Sequence, residues 1–380
     1  MIYLDNSATT LVKPKEVLKA VSAAVTRFTA NPGRSGHGQS ILTAMEVEQT
    51  RVKVKEMFNL NSENNVIFTA NCSAALNLIV LGSAKQGGHV VCTENEHNST
   101  LRPLEALKQK GIIDYTVALQ SRPGGISKAD IEKCLRPNTY LVICNHISNV
   151  NGDTADITAI GKMCHEKNIL FAVDGAQSGG HEQIDMQKSN IDFLALAPHK
   201  GFYALQGLGV LLAQTPEALS PILFGGTGTN SLELFQPENP PERFEVGTVA
   251  TPAILAFSGG LDFVKENFSL IHDHLDDLTT FLNYELSSLP VEIYTTTENS
   301  KGVFAFNIPG MHSSEVATIL DEKYGICVRG GYHCAAKKHE ALKLLDRGAV
   351  RASLSIFTSF TDVQKLILAI KSILKKQKLR

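Results

Sequence analysis

Short apolar runs punctuate the chain from about residue 64, separated by longer stretches whose apolar residues recur at helical spacing. The runs occupy 66–68, 89–92, 140–144, 169–173, 193–196 and 209–212. They carry almost no polar alternation, which predicts strands buried on both faces. Helical patterns such as 73–83 and 157–167 lie between them. Strand–helix–strand alternation predicts a mostly parallel sheet with helices on both sides. Near residue 255 the rhythm changes. A long helical stretch (253–267, then 271–289) leads into short runs at 291–294 and 302–306, a helix over 313–324, a strand at 326–328, another at 350–355 and a closing helix over 361–376. This reads as a smaller α+β unit. A chain of 380 residues exceeds one ordinary core. The expected division is a large domain over 15–255 and a small one from 1–14 plus 256–380. The proline-rich segment 236–241 is expected to be a functional or interface loop.

Composition narrows the class. A net charge of −2 gives no electrostatic case for nucleic acid or an anionic membrane. The basic end KSILKKQKLR reads as a solvated helix terminus. No apolar run approaches the roughly 18 residues that span a bilayer. The start, MIYLDNSATT, has no basic-then-apolar leader, so a cytoplasmic protein is expected. Seven cysteines, an odd number without a C-x-x-C pair, argue against a disulfide framework or structural zinc and for a reducing compartment.

In an open parallel sheet, ligands bind beyond the carboxyl ends of the strands. Asp174 follows one buried run, His199 and Lys200 follow another, and Cys72 and Ser73 stand where a third passes into a helix. An Asp and a Lys converging at one sheet edge suggest pyridoxal phosphate. The amine would form a Schiff base, and the carboxylate would keep the pyridine nitrogen protonated. A helix start with free N–H groups and a hydroxyl suits the phosphate. Cys334 raises a separate question. It lies in Arg329-Gly330-Gly331-Tyr332-His333-Cys334, where a short apolar run has ended and the chain is expected to reach the surface.

Eight motifs stand in one order along the whole chain: YLDNSATT, FTANCSAALN, ENEHNST, HISNVNG, VDGAQS, APHKG, RFEVGT and RGGYHCA. Together they resemble the class V aminotransferase superfamily, and within it the cysteine desulfurase and selenocysteine lyase branch. The resemblance implies the fold type I of pyridoxal-phosphate-dependent transferases, an α/β fold with a mostly parallel sheet in the large domain and a smaller α+β domain. It assigns Lys200 as the Schiff-base lysine, Asp174 as the partner of the pyridine nitrogen, Gln177 as a donor to the phenolic oxygen, and His97 as the imidazole stacked on the ring. His199, Ser73 and the backbone of Cys72 would hold the phosphate. Thr248 would reach the phosphate of the other subunit, which implies a homodimer with shared sites. Asn149 would lie near the cofactor and the substrate carboxylate, Arg351 would grip that carboxylate, and His37 would sit on a substrate-side loop. A guanidinium is suited to that grip because it binds a carboxylate through two parallel hydrogen bonds. Cys334 would be the nucleophile that takes sulfur from L-cysteine. His333, Arg329 and the cofactor region are expected to supply the positive field that favours its thiolate.

Departures from the family pattern also carry information. Ala197 stands where many relatives bind phosphate with a hydroxyl residue. Ala74 replaces a frequent acidic residue, and Val249 and Ala250 replace a more polar pattern beside Thr248. Only sixteen residues separate Cys334 from Arg351, a short tether. A persulfide there is expected to need a sulfur-acceptor protein or small thiol to come to it. The alternatives on the same scaffold are selenocysteine lyase acting on L-selenocysteine, another C–S lyase or aminotransferase-like enzyme, and an epimerase. A sulfur carrier without cofactor is the alternative outside enzymology.

Overall fold

A computed structural model describes residues 1–33, 35–229, 232–296 and 301–377. Strand β1 (Ile2–Tyr3) precedes helices α1 (Lys15–Thr26) and α2 (Gly38–Phe58). Alternation then begins with β2 (Val66–Thr69), α3 (Cys72–Gly82), β3 (Gly88–Thr93), α4 (Asn98–Gln109) and β4 (Ile113–Ala118). It continues through α5 (Lys128–Glu132), β5 (Thr139–Asn145), α6 (Ile157–Glu166), β6 (Leu170–Asp174), β7 (Phe193–Leu196) and β8 (Gly209–Ala213). Helix α7 (Thr251–Ser287) leads to β9 (Glu292–Ile293), β10 (Val303–Asn307), α8 (Ser313–Tyr324), β11 (Ile326–Cys327) and β12 (Arg329–Gly331). The chain closes with α9 (Ala336–Ala341), β13 (Ala349–Ser353) and α10 (Phe360–Gln377).

All six apolar runs are strands of one seven-stranded sheet, ordered β2-β8-β7-β6-β5-β3-β4. Pairing is parallel from β7 to β4, and β8 runs antiparallel to both its neighbours. The side chains alternate between two cores. Val91, Val142, Val173 and Leu194 enter one with α1, α2, α6 and α7, whereas Val90, Leu141, Ala172 and Phe193 enter the other with α3 and α4. A smaller antiparallel sheet has the order β12-β13-β10-β9, and β1 pairs in parallel with β11. No described helix is long and apolar enough to cross a membrane.

Three elements go beyond the sequence reading. The long helical stretch expected over 253–289 is one unbroken helix of 37 residues. It crosses residue 255, where the expected division falls. Gly259 and Gly260 permit its close packing: a Cβ on Gly260 would stand 2.0 Å from the carbonyl oxygen of Phe202. Helix α2 gives no apolar stripe because much of its buried face is Ser40, Thr43, Thr50 and Arg51. Arg51 is held there by both carboxylate oxygens of Glu245, at 2.9 and 2.8 Å. Strand β4 lies at the sheet edge with a mixed pattern and escapes the apolar-run criterion.

Gly209 opens β8 against the turn between β2 and α3. A Cβ there would lie 2.1 Å from the carbonyl carbon of Asn71 and 2.4 Å from the nitrogen of Cys72, so the two backbones meet only because position 209 lacks a side chain. Gly209→Ala is expected to lower stability by about 1–3 kcal/mol in a denaturant titration. Gly36→Ala, where a Cβ meets nothing, should stay within about 0.5 kcal/mol of the parent.

Candidate active site

The parallel strands deliver their polar ends to one edge. Asn71, Cys72 and Ser73 follow β2, His97 and Ser99 follow β3, Asn145 ends β5 and Asn149 follows it, Asp174 ends β6, and Ala197, His199 and Lys200 follow β7. These residues, with Gln177, line a cavity of about 120 Å³.

Asp174 is buried at the end of β6. Its Oδ1 accepts the N–H of Ala176 at 2.9 Å, and its Oδ2 accepts from Nδ2 of Asn145 at 3.4 Å. Lys200 sits in the turn after β7, its N–H donating to the Ala197 carbonyl at 3.0 Å. Burial pushes its amine below the ordinary lysine value, opposed by Cys72 and Asp174 and reinforced by Arg351 and Arg329. Burial also pushes the Cys72 thiol well up, so Cys72 is no nucleophile.

Helix α3 begins with Asn71 as its cap, Oδ1 accepting the N–H of Ala74 at 3.0 Å. As first-turn residues, Cys72 and Ser73 present N–H groups with no intrahelical partner. The Ser73 hydroxyl lies 2.6 Å from that of Ser99, which is 2.8 Å from Nδ1 of His97. The Ser99 N–H also donates to this Nδ1 at 3.0 Å. The imidazole therefore keeps its proton on Nε2, and burial holds it below the usual histidine range, in the neutral form. Ser99 escaped the sequence reading, although it lies two residues after His97. Beside Ala197, which has no hydroxyl to give, it adds a second hydroxyl next to Ser73.

The amino-terminal segment closes another side. His199 Nδ1 lies 3.1 Å from the Thr9 hydroxyl, and Thr10 N–H donates to the His199 carbonyl at 3.1 Å. Burial, then the charges of Lys200 and Lys13, push His199 down to about 4. Gln177 donates through Nε2 to the Ser7 carbonyl at 3.1 Å. Arg351, on β13, is 1% exposed. Its Nη1 donates to the Asn149 carbonyl at 2.9 Å and its Nη2 pairs with Asp5 Oδ1 at 2.6 Å. Its Nε has no partner. Asp5 and Glu96 are further residues that sequence reasoning missed. Glu96 accepts the Asn145 N–H and the Thr93 hydroxyl, each at 2.7 Å, and burial raises its carboxyl to about 8.

Cys334 is exposed, in the loop between β12 and α9. Asn149 Nδ2 donates to the His333 carbonyl at 2.6 Å, and Asn98 N–H donates to the Cys334 carbonyl at 2.7 Å. His333 and Cys334 both have positive φ, +48° and +57°, a conformation that non-glycine residues adopt only when their surroundings impose it. His333 does not supply the expected positive field. It is buried with Nε2 at 3.0 Å from the Ala349 carbonyl, and desolvation, then Arg351, push it down to about 2. It is neutral at neutral pH. His37 and Thr248 are not among the residues lining this cavity. His37 caps α2, accepting Ser40 N–H at 3.3 Å, and Thr248 is exposed in the loop before α7.

Fold and site together define an α/β chain with a half-buried lysine and a buried carboxylate at the carboxyl edge of a mostly parallel sheet. The chain belongs to the class-V aminotransferase family, whose sequence model matches residues 2–366. It is 33% identical to a probable cysteine desulfurase of Pyrococcus abyssi over 99% of this chain and 94% of the relative. It is also 33% identical to one of Methanothermobacter thermautotrophicus, over 96% and 92%. Among solved structures, the apo cysteine desulfurase of Thermococcus onnurineus superposes with a TM-score of 0.92 at 31% identity, covering 99% of this chain and 95% of that one.

Neutral histidines, buried or half-buried, set an acid limit. His146, His181, His199 and His339 are all pushed down to about 4, chiefly by burial. In the unfolded chain they titrate near 6.5. Between about 6.5 and 4 the unfolded chain therefore binds more protons, and stability must fall as pH falls through that window. Neither ring nitrogen of His339 has a partner, and the ring packs against Tyr332 and His333. His339→Phe is expected to keep or raise the melting temperature at pH 7 and to make its decline between pH 6.5 and 4 shallower. An equally steep decline would remove His339 from this set.

Proposed function

We propose that the chain is a pyridoxal-phosphate-dependent cysteine desulfurase, converting L-cysteine to L-alanine and leaving the sulfur on Cys334 as a persulfide. One observation carries this reading. Exposed Cys334 is bonded through its own carbonyl to Asn98, the residue beside His97 of the lysine cavity. The relatives described above, cysteine desulfurases by name, support the same substrate.

The residues fit the cofactor. Lys200 offers a desolvated amine, Asp174 a buried carboxylate, and Ser73 a hydroxyl beside the first-turn N–H groups of α3. Asn145 and Asn149 each leave a buried Oδ1 without a partner. Lys200 would hold the aldehyde, Asp174 the pyridine nitrogen, Gln177 the phenolic oxygen, and Ser73, Cys72 N–H and His199 the phosphate. Pyridoxal phosphate, when bound, supplies an electron sink for negative charge at the substrate's α-carbon.

The chain's own groups do the rest. A lowered amine value keeps more of Lys200 neutral and able to take the α-proton. His97 carries a transferable proton on Nε2. Arg351, anchored by Asp5 and the Asn149 carbonyl, keeps Nε free for the substrate's carboxylate. At Cys334 the substrate's C–S bond breaks and an S–S bond forms. Cysteine plus thiol gives alanine plus persulfide, with a site proton delivered to carbon. An acceptor protein or thiol then collects the sulfur at the surface.

We read the enzyme as a cytoplasmic homodimer. Seven free cysteines support the compartment. Exposed Leu223, Phe224, Leu232, Leu234 and Phe235, in the segment leading to Thr248, support a second copy covering them.

Cys334→Ser is expected to retain the yellow cofactor but to abolish both persulfide and alanine formation. Native-rate alanine production by that variant would remove Cys334 from the reaction. Parallel incubations with L-cysteine and L-selenocysteine, measuring alanine, separate the desulfurase from a selenocysteine lyase. Arg351→Met should raise KM for cysteine at least tenfold.

A further inference from the structure

Four residues beyond Cys334, on the short helix α9, stands a lysine whose surroundings are unlike those of a surface lysine. Lys338 is 1% exposed. Its ammonium meets Asp153 Oδ2 at 2.9 Å, Glu94 Oε1 at 3.2 Å and Gln120 Oε1 at 3.2 Å. An ammonium has three hydrogens to give, and three acceptors surround it. Both carboxylates are themselves buried and further bonded. Glu94 Oε2 accepts Gln120 N–H at 3.1 Å, and Asp153 Oδ2 accepts from Asn151 Nδ2 at 2.9 Å. The cluster joins segments far apart in sequence: Lys338 and Glu94 are 244 positions apart, Lys338 and Asp153 are 185.

These partners stand close in sequence to the proposed active residues. Glu94 precedes His97 by three positions, and Asp153 follows Asn149 by four. The walls that carry the imidazole and the asparagine are therefore the walls to which Lys338 is bonded. The thiol loop has two other attachments to the same walls, Asn149 Nδ2 to the His333 carbonyl and Asn98 N–H to the Cys334 carbonyl. Both are single bonds to carbonyls in a loop with two consecutive residues at positive φ. Left to itself such a loop relaxes to less strained backbone. A charged anchor one helical turn further on opposes that relaxation. Because loss of the ammonium would leave two buried carboxylates unpaired, the anchor is hard to release.

We propose that Lys338 is a positioning residue that clamps the Cys334 loop to the His97 and Asn149 walls, setting where the thiol stands when sulfur is transferred. Its catalytic consequence rests on the desulfurase reading; its structural consequence does not.

The test uses Lys338→Met holoenzyme with Lys338→Arg alongside. Hydrogen exchange follows the Asn98 amide, which reports the bond to Cys334, and the amides of 329–337. Single-turnover mass analysis follows persulfide on Cys334, and steady-state assays give KM. With a clamp, these amides exchange at least tenfold faster in Lys338→Met while those of β5 do not. Persulfide forms at least tenfold more slowly with KM within twofold, and Lys338→Arg restores part of the rate. Native exchange at Asn98, or a uniform rise that includes β5, overturns the clamp. Should Lys338→Met not fold, Glu94→Gln, which removes one of the two negative charges on the ammonium, is measured the same way. At least threefold faster exchange at Asn98 is then expected, and native exchange there overturns the proposal. A parent enzyme that makes no alanine from cysteine sinks the desulfurase reading alone, since the exchange measurement stands without it.

Discussion

A sheet covered by helices on both faces can meet a ligand only at the ends of its strands, and everything chemical in this molecule follows from that constraint. Apolar side chains fill the middles of β3, β5, β6 and β7 on both sides and leave the polar ones to the strand ends. The first polar positions come where each strand stops. Asn145, Asp174 and Lys200 therefore arrive at one edge, brought together by the ordinary requirement that a parallel strand be buried. A helix start, with N–H groups that need an acceptor, arrives at the same edge after β2.

That edge is crowded with charge that water screens only in part. Lys200, Arg329 and Arg351 repel one another, and Asp174 and Asp5 counter them. The result is a site biased toward anions, which suits both a phosphate and an amino acid's carboxylate. Histidines in the same neighbourhood are kept neutral by burial. The imidazoles thus act as hydrogen-bonding and proton-carrying groups rather than as cations.

The legible part of this design was the part carried by local pattern. Asp174, His199 and Lys200 could be read because each directly follows a strong apolar run. The motif order then pointed to His97 and Gln177, which line the same cavity, and to Arg351 and Cys334, which are not among its lining residues. Helix α2 could not be read, since its inward face is largely hydroxyls and Arg51, whose burial makes sense only beside Glu245, 194 positions away. Asp5 was opaque for the same reason, as it meets Arg351 across 346 positions. His333 misled: its nearness to Cys334 in sequence suggested a positive charge, whereas the fold turns it inward toward the Ala349 carbonyl. Sequence adjacency says who the neighbours are along the chain, not which of them sees water.

Helix α7 has a mechanical meaning. At about 1.5 Å per residue, 37 residues make a rod of about 55 Å. It packs on α1 and α2 at one end and reaches α10 and β9 at the other. A rod without a joint gives the flanking sheets no hinge about which to swing. Entry and exit of small molecules must then depend on the loops at the rim.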